Sequence, residues 1–279
     1  MTLTPQQQSL ISFFNEDAGD GDITTSALLE DKTVSARIEA REDLIAAGVE
    51  ECVWLFSYFG VSACPKVNDG DRVSAGARII SLTGSVYKIL SLERTCLNLM
   101  GRMSGIATSA SKAQQAVSVI NSHARVAATR KTAPGLRYSD KKAVTIGGGL
   151  PHRYNLSDAY LIKDTHRALI PIRDAISRAE KYSDKPIECE VESVDDAVTA
   201  ASCGADTIMF DNMSVSDMKK AVDALKSAGL RDKVKLELSG GIKAENFAEY
   251  SGLDVDIVSM GALTHSVKCA DISLEIDLS

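Results

Sequence analysis

From about residue 105 onward the chain alternates two patterns. Short β-branched and aliphatic runs at Ala124–Thr129, Asp158–Lys163, Ile187–Val191, Asp206–Phe210, Lys233–Leu238 and Val255–Ser259 predict strands buried on both faces. Helical periods lie between them. Arg167–Tyr182 sets Leu169, Ile172, Ile176 and Ala179 three and four residues apart. Ser193–Cys203 opens on a serine cap, and Ser214–Ala228 carries Val215, Met218, Ala221, Val222 and Leu225 on one face before Gly229. Six βα units in series predict a parallel sheet, either a barrel or an open doubly wound sheet. No G-x-G-x-x-G follows the first strand, which favours the barrel over a dinucleotide fold.

Residues 1–104 read as a separate α+β unit. Val34–Arg41 and Arg78–Leu82 have strand character, and Gln6–Asn15 and Gly48–Tyr58 have helical character. Asp69-Gly70-Asp71-Arg72 and Gly76 mark turns. Leu90–Ser122 predicts a long helix that carries the chain into the barrel.

Composition narrows the partners. The 279 residues allow one large domain or two ordinary ones, and 44% are apolar but only 5% aromatic, so the core is aliphatic. A formal charge of −7 weighs against nucleic acid or an anionic membrane as a partner. No apolar run approaches the roughly 18 residues of a membrane span. Met1–Asn15 lacks the basic start and apolar stretch of a signal peptide. The six cysteines form no C-x-x-C pair and no zinc spacing, which points to reduced thiols of a cytoplasmic protein.

Candidate chemistry collects where a barrel keeps it, just after the strands. Successive strand ends carry Thr129-Arg130-Lys131-Thr132, Lys163-Asp164, Glu190 to Glu192, Asp211-Asn212, Ser239-Gly240-Gly241 and Gly261-Ala262. Between Asn121 and Ile170 nine basic residues face three acids, and His123, His152 and His166 lie in the same stretch. A basic surface patch would account for the count. The strand-end positions of Arg130, Lys131 and Lys163 favour a pocket for a polyanionic small molecule, since guanidinium suits carboxylate and phosphate. The turn Ser239-Gly240-Gly241 and the later Gly261-Ala262 offer backbone N–H groups to phosphate. Gly147-Gly148-Gly149 is either another such loop or a hinge that places His152 and Arg153.

Glu190 and Asp211 need a reason to sit among cations. They suit a hydrated Mg²⁺, ribose hydroxyls or positive charge developing on a sugar carbon, and the plain alternative pairs each with a nearby lysine. Glu188, Glu190 and Glu192 share one strand face, so facing alone does not choose among them.

Thr129-Arg-Lys-Thr-Ala-Pro-Gly-Leu-Arg137, Gly-Gly-Gly-Leu-Pro-His-Arg153 and Leu161-Ile-Lys-Asp-Thr-His166 together resemble the quinolinate phosphoribosyltransferase family. The likeness extends to Gly21-Asp22-Ile-Thr-Thr25, Glu93-Arg-Thr-Cys-Leu-Asn98, Gly101-Arg-Met-Ser-Gly-Ile-Ala107, Phe210-Asp-Asn-Met213 and Ser239-Gly-Gly-Ile242. It implies an α/β protein with an N-terminal α/β sandwich, residues 1–108, joined by the tail 267–279. An open seven-stranded α/β barrel, residues 109–266, completes it. It implies transfer of the phosphoribosyl group of phosphoribosyl pyrophosphate (PRPP) to quinolinate with decarboxylation. The products are nicotinate mononucleotide, pyrophosphate and CO₂, and Mg²⁺ is the cofactor.

The resemblance also distributes roles. Arg102 matches an arginine serving the neighbouring subunit's site in a homodimer, with hexamers as a further assembly. Thr129 lies in the matching Thr-Arg-Lys-Thr motif, and Arg130, His152, Arg153 and Lys163 match the cationic pocket for quinolinate. Lys131 and Lys163 face PRPP phosphates, Glu190 and Asp211 the ribose and Mg²⁺. Ser239, Gly240 and Gly241, with Met260, Gly261 and Ala262, match the 5′-phosphate side. Leu150-Pro151 and Thr165 depart from the family pattern and leave substrate tuning open. The molybdenum-associated ModD-type group shares part of the pattern, but Lys163-Asp164 and His166 argue for the quinolinate enzyme. A transferase acting on another base and a non-catalytic phosphoribosyl-binding barrel are the remaining alternatives.

Overall fold

The computed structural model describes residues 2–242 and 244–277. In chain order its helices and strands are α1 Pro5–Ala18, α2 Ile23–Leu28, β1 Thr33–Ala40, β2 Leu44–Ile45, α3 Val49–Tyr58, β3 Ser62–Pro65, β4 Arg72–Val73 and β5 Arg78–Ser85. Then come α4 Val86–Ile120, β6 Arg125–Ala127, α5 Arg137–Ile146, β7 Tyr160–Ile162, α6 Asp164–Arg167, α7 Ile172–Tyr182, β8 Ile187–Val191 and α8 Val194–Ser202. The last are β9 Thr207–Asp211, α9 Val215–Ser227, β10 Lys235–Ser239, β11 Ile257–Ser259, α10 Ala262–His265 and β12 Ile272–Ile276. Among the described residues, no helix is long and apolar enough to cross a membrane.

The chain forms two compact units. The first takes in Met1–Ser111, Thr132–Gly148 and Ser266–Ser279. Its main sheet runs β12-β1-β5-β3 and is antiparallel throughout. Alternation along β1 buries Ala36, Ile38 and Ala40, which join Ile80 and Leu82 of β5 and Leu55 and Phe56 of α3 in the core. Thr4 and Gln7 close a capping box that starts α1. The tail belongs to this unit because β12 pairs with β1. Helix α4 accepts it closely: a Cβ on Gly105 would stand 2.1 Å from the Lys268 carbonyl oxygen, so only glycine fits there.

Two features of this unit depart from the expectations. The long helix begins at Val86, directly out of β5, rather than at Leu90. Thr132–Gly148, left within 109–266 by the sequence reading, packs here and contains the helix α5, which that reading did not single out. Its Arg137, Lys141 and Lys142 read as charge in one dimension. Folded, α5 buries Ala143 and Val144 and seats Asp140 with no exposure at all.

The second unit comprises Lys112–Lys131 and Gly149–His265. Its strands run β6-β11-β10-β9-β8-β7, with every pair parallel. A one-residue parallel bridge, Leu150 to Ala127, adds a seventh position beyond β6. Sheet neighbours are therefore chain neighbours, and the first strand pairs with the last. That circuit is an α/β barrel with one open seam, between Leu150 and β7; a doubly wound sheet would start in its middle and reverse direction. The seven-stranded expectation is met by six strands and this bridge.

Helix Arg167–Tyr182 is not continuous. Pro171 disfavours helical backbone at Ile170, so α6 ends at Arg167 and α7 begins at Ile172. Leu169 falls in the break and is 88% exposed, whereas Ile172, Ile176 and Ala179 are buried.

Candidate active site

The parallel register stacks the inward side chains in layers. Glu190, Met209 and Glu237 are level on β8, β9 and β10, and Asp211 and Ser239 are level one step further toward the strand ends. Strands β6 to β11 thus deliver polar residues to one mouth, where a cavity of about 430 Å³ opens. Of the residues predicted from sequence, Thr129, Arg130, Lys131, His152, Arg153, Lys163, Glu190, Asp211, Ser239, Gly240 and Gly241 line it.

Four of the predicted residues are not among those lining it. Met260, Gly261 and Ala262 follow β11 directly behind Lys131, where a Cβ on Gly261 would stand 3.2 Å from Lys131 Cδ. Met260 N–H donates to the Ala127 carbonyl at 3.0 Å, and Thr264 Oγ1 donates to the Lys131 carbonyl at 2.9 Å. Arg102 belongs to the first unit. There its Nε and Nη2 donate to both carboxylate oxygens of buried Asp140 at 2.8 and 2.9 Å, which holds the guanidinium firmly cationic.

Among the described residues, no carboxylate forms such a pair with Arg130, Lys131, Arg153 or Lys163 of the cavity. Arg153 is buried, and its charge is disfavoured by burial and then by neighbouring Arg130. Arg130 Nε is buried with no hydrogen-bond acceptor. Such a site stores unfavourable charge that a polyanion would relieve. Glu190 is pushed above the usual carboxylate range, first by burial and further by Asp211 and Asp164, with Lys163 opposing them. Arg167 Nη1 donates to the Glu190 carbonyl at 3.1 Å, and Arg167 also pairs with Asp196, so this strand end is clamped from α6 and α8.

The glycine turn is shaped by close approach. Gly240 has φ +92°, and a Cβ there would stand 2.3 Å from Asn212 Oδ1. Asn212 is itself left-handed at φ 52°, with Nδ2 donating to Asp211 Oδ2 at 3.1 Å. The turn and Asp211 are therefore fitted to each other across the β9–β10 gap.

Sequence reasoning weighed Glu188 only as an alternative to Glu190 and missed Glu237. His152 Nε2 lies 3.1 Å from Glu188 Oε2 and 3.3 Å from Glu237 Oε2. Glu237 has no exposure, and its Oε1 and Glu188 Oε1 lack hydrogen-bond partners among the described residues. Burial disfavours charge on His152, and the two carboxylates favour a proton on its Nε2. Glu188 is raised, by burial first and then by the charge of Glu237. The three side chains have the donor types of a metal site. His152 Nδ1, however, accepts the Arg153 N–H at 2.8 Å, so the ring proton sits on Nε2 and no lone pair is left there for a metal. A signal for both acids existed: Glu188 shares the face of Glu190, and Glu237 shares the face of Ser239 in an otherwise apolar strand.

Comparison with known proteins decides the family. The N-terminal domain model of quinolinate phosphoribosyl transferase matches residues 22–104, and its C-terminal domain model matches residues 106–275. The chain belongs to the quinolinate phosphoribosyltransferase family. It is similar to a probable nicotinate-nucleotide pyrophosphorylase [carboxylating] of Methanothermobacter thermautotrophicus, with 45% identity over 93% of this chain and 95% of the relative. A Bacillus subtilis protein of the same description is 38% identical over 96% and 92% of the two chains. The solved nicotinate-nucleotide pyrophosphorylase from Francisella tularensis superposes with a TM-score of 0.90 at 35% identity, covering 99% of this chain and 98% of that one. In this phosphoribosyltransferase the motifs read from sequence are the strand ends of the barrel, and the additions are Glu237 and Ser259.

Proposed function

We propose that this protein transfers the phosphoribosyl group of PRPP to the ring nitrogen of quinolinate, with loss of CO₂, forming nicotinate mononucleotide and pyrophosphate in NAD biosynthesis. The observation that carries the reading is the cavity itself: Arg130, Lys131, Arg153 and Lys163 converge beside the Ser239-Gly240-Gly241 turn and the Glu190–Asp211 pair. One substrate is a dicarboxylate and the other a sugar with three phosphate groups. Both need cations, and only the ribose needs acids.

Arg130, Arg153 and Lys163 hold the two carboxylates so that the ring nitrogen faces C1′, chiefly a positioning effect. Lys131 and Lys163 meet the phosphates, and Thr129 supports that turn, its Oγ1 accepting the Lys131 N–H at 3.1 Å. Backbone N–H groups of the glycine turn receive the 5′-phosphate. The C1′–O bond to pyrophosphate breaks with its electron pair on oxygen, and positive charge builds on the ribose. Glu190 and Asp211 favour that charge. The ring nitrogen then bonds to C1′ and becomes cationic. It stabilises the electron pair left on C2 as CO₂ departs, and a proton replaces the lost carboxyl. No nucleophilic side chain is needed.

Glu190 and Asp211 fit a hydrated Mg²⁺, because they are hard oxygen donors and the Asp211 charge disfavours the charge on Glu190. Held there with PRPP, Mg²⁺ would supply neutralisation of the negative charge of a pyrophosphate leaving group. We further propose a homodimer in which Arg102 serves the partner's quinolinate. Supporting this, Arg102 lines a cavity of about 690 Å³ in its own unit and is held there by Asp140. The free cysteines support a cytoplasmic setting.

Assaying purified protein with PRPP and Mg²⁺ against quinolinate and nicotinate separately tests the reading. Nicotinate mononucleotide and CO₂ from quinolinate alone are expected. Turnover of nicotinate only, or of neither, overturns it.

A further inference from the structure

Glu188 and Glu237 have no role in the mechanism above, yet they are costly. Glu188 Oε1 and Glu237 Oε1 are buried without a donor among the described residues, and Glu237 Oε2 has His152 Nε2 at 3.3 Å. Both acids meet His152, whose nitrogens are both committed: Nε2–H faces the two acids, and Nδ1 accepts the Arg153 N–H. Neither nitrogen is left to bind a substrate carboxylate. His152 also holds a left-handed backbone, φ 53°, which is unfavourable for a residue with a Cβ. Something must hold that conformation, and the ring's two contacts are what the structure offers.

The outcome of the turn is the placement of Arg153. Its N–H is fixed on the His152 ring, and its Nη1 donates to the Ala159 carbonyl at 3.1 Å. Its guanidinium is thereby kept at the cavity wall beside Arg130, which repels it, while the negative charge of Glu188 draws it the other way. We propose that Glu188 and Glu237 are positioning residues for quinolinate: they orient His152, and His152 in turn sets Arg153. This rests on the reading of the cavity as a quinolinate site, and it moves His152 from substrate contact to support.

Steady-state kinetics on Glu188→Gln with Glu237→Gln as a double variant, His152→Asn and the triple variant test it. Asparagine tolerates positive φ, so His152→Asn removes the ring without forcing the turn. Turnover of quinolinate by the wild type tests the assigned reaction, and the variants test this inference alone. The double variant is expected to raise KM for quinolinate about tenfold, as for partners one step removed from a ligand. KM for PRPP and kcat should stay within about twofold. In the His152→Asn background the same pair should add nothing, because a relay already cut is not cut further. An unchanged KM for quinolinate, or effects that multiply across the two sites, overturns the proposal. If the double variant does not fold, Glu237→Gln alone should shift the same KM in the same direction by about threefold, and no shift overturns it.

Discussion

Lys142 in the first unit and Arg153 in the second are both largely buried cations, and their surroundings are opposite. Lys142 Nζ reaches Glu50 and Glu51 at 2.7 Å and Asp69 at 3.4 Å. Burial opposes its charge, but these acids outweigh it and raise its pKa. Arg153 is lowered instead, by burial and by Arg130. One region supplies its own counter-charges and is finished when folded. The other gathers like charges and is finished only by an anionic ligand. The difference separates a structural ion cluster from a binding site using partners alone, without reference to where either lies in the chain.

Substitutions should divide along that line. The largest loss of quinolinate binding is expected for Arg130→Ala. It should lower kcat/KM for quinolinate by about 10²–10³-fold, the size of losing one member of a desolvated charge pair. Urea unfolding should show no loss of stability, because repulsion on Arg153 is relieved. Undiminished quinolinate affinity would contradict the comparison at its root.

Next is a test of shared sites. Arg102→Ala and Lys163→Ala should each be inactive. Mixed and reassociated, they should recover about a quarter of wild-type activity, since roughly half the dimers are hybrids with one intact site. Hybrids demonstrated by mass spectrometry but lacking activity would remove Arg102 from the partner's site.

Lys142→Met should do the reverse of Arg130→Ala. It leaves Glu51 and Asp69 without their cation and should cost about 2 kcal/mol in urea unfolding, with KM values unchanged. A kinetic effect at constant stability would make that cluster functional. The smallest effect is a difference of differences. Quinolinate at 100 times its Kd should stabilise the wild type by about 2.7 kcal/mol, and Lys142→Met by the same increment from a lower starting point. Calorimetric melting with and without quinolinate measures it.

Legibility followed the range of the interaction. Strand β8 was read with its observed ends, Ile187–Val191, because an apolar run bounded by turns is a local signal. Helix α9 was read within a residue for the same reason, with Ser214 capping it. Helix α5 was not read, since its buried Asp140 and paired Lys142 become intelligible only beside Arg102 and Glu51. Glu237 was passed over because one acid in an apolar strand carries no message until His152 stands against it.

The order of apolar and turn residues was enough to set a parallel βα succession, and strand-end chemistry was enough to set a polyanion site, because both depend on spacing within one element. Closure of the sheet through β6 and β11 depends on contacts between distant segments, as do the union of β12 with β1 and the convergence of His152, Glu188 and Glu237. Those are tertiary decisions. Which charges end up paired, and which are left waiting for a ligand, is fixed only when the chain has folded around them.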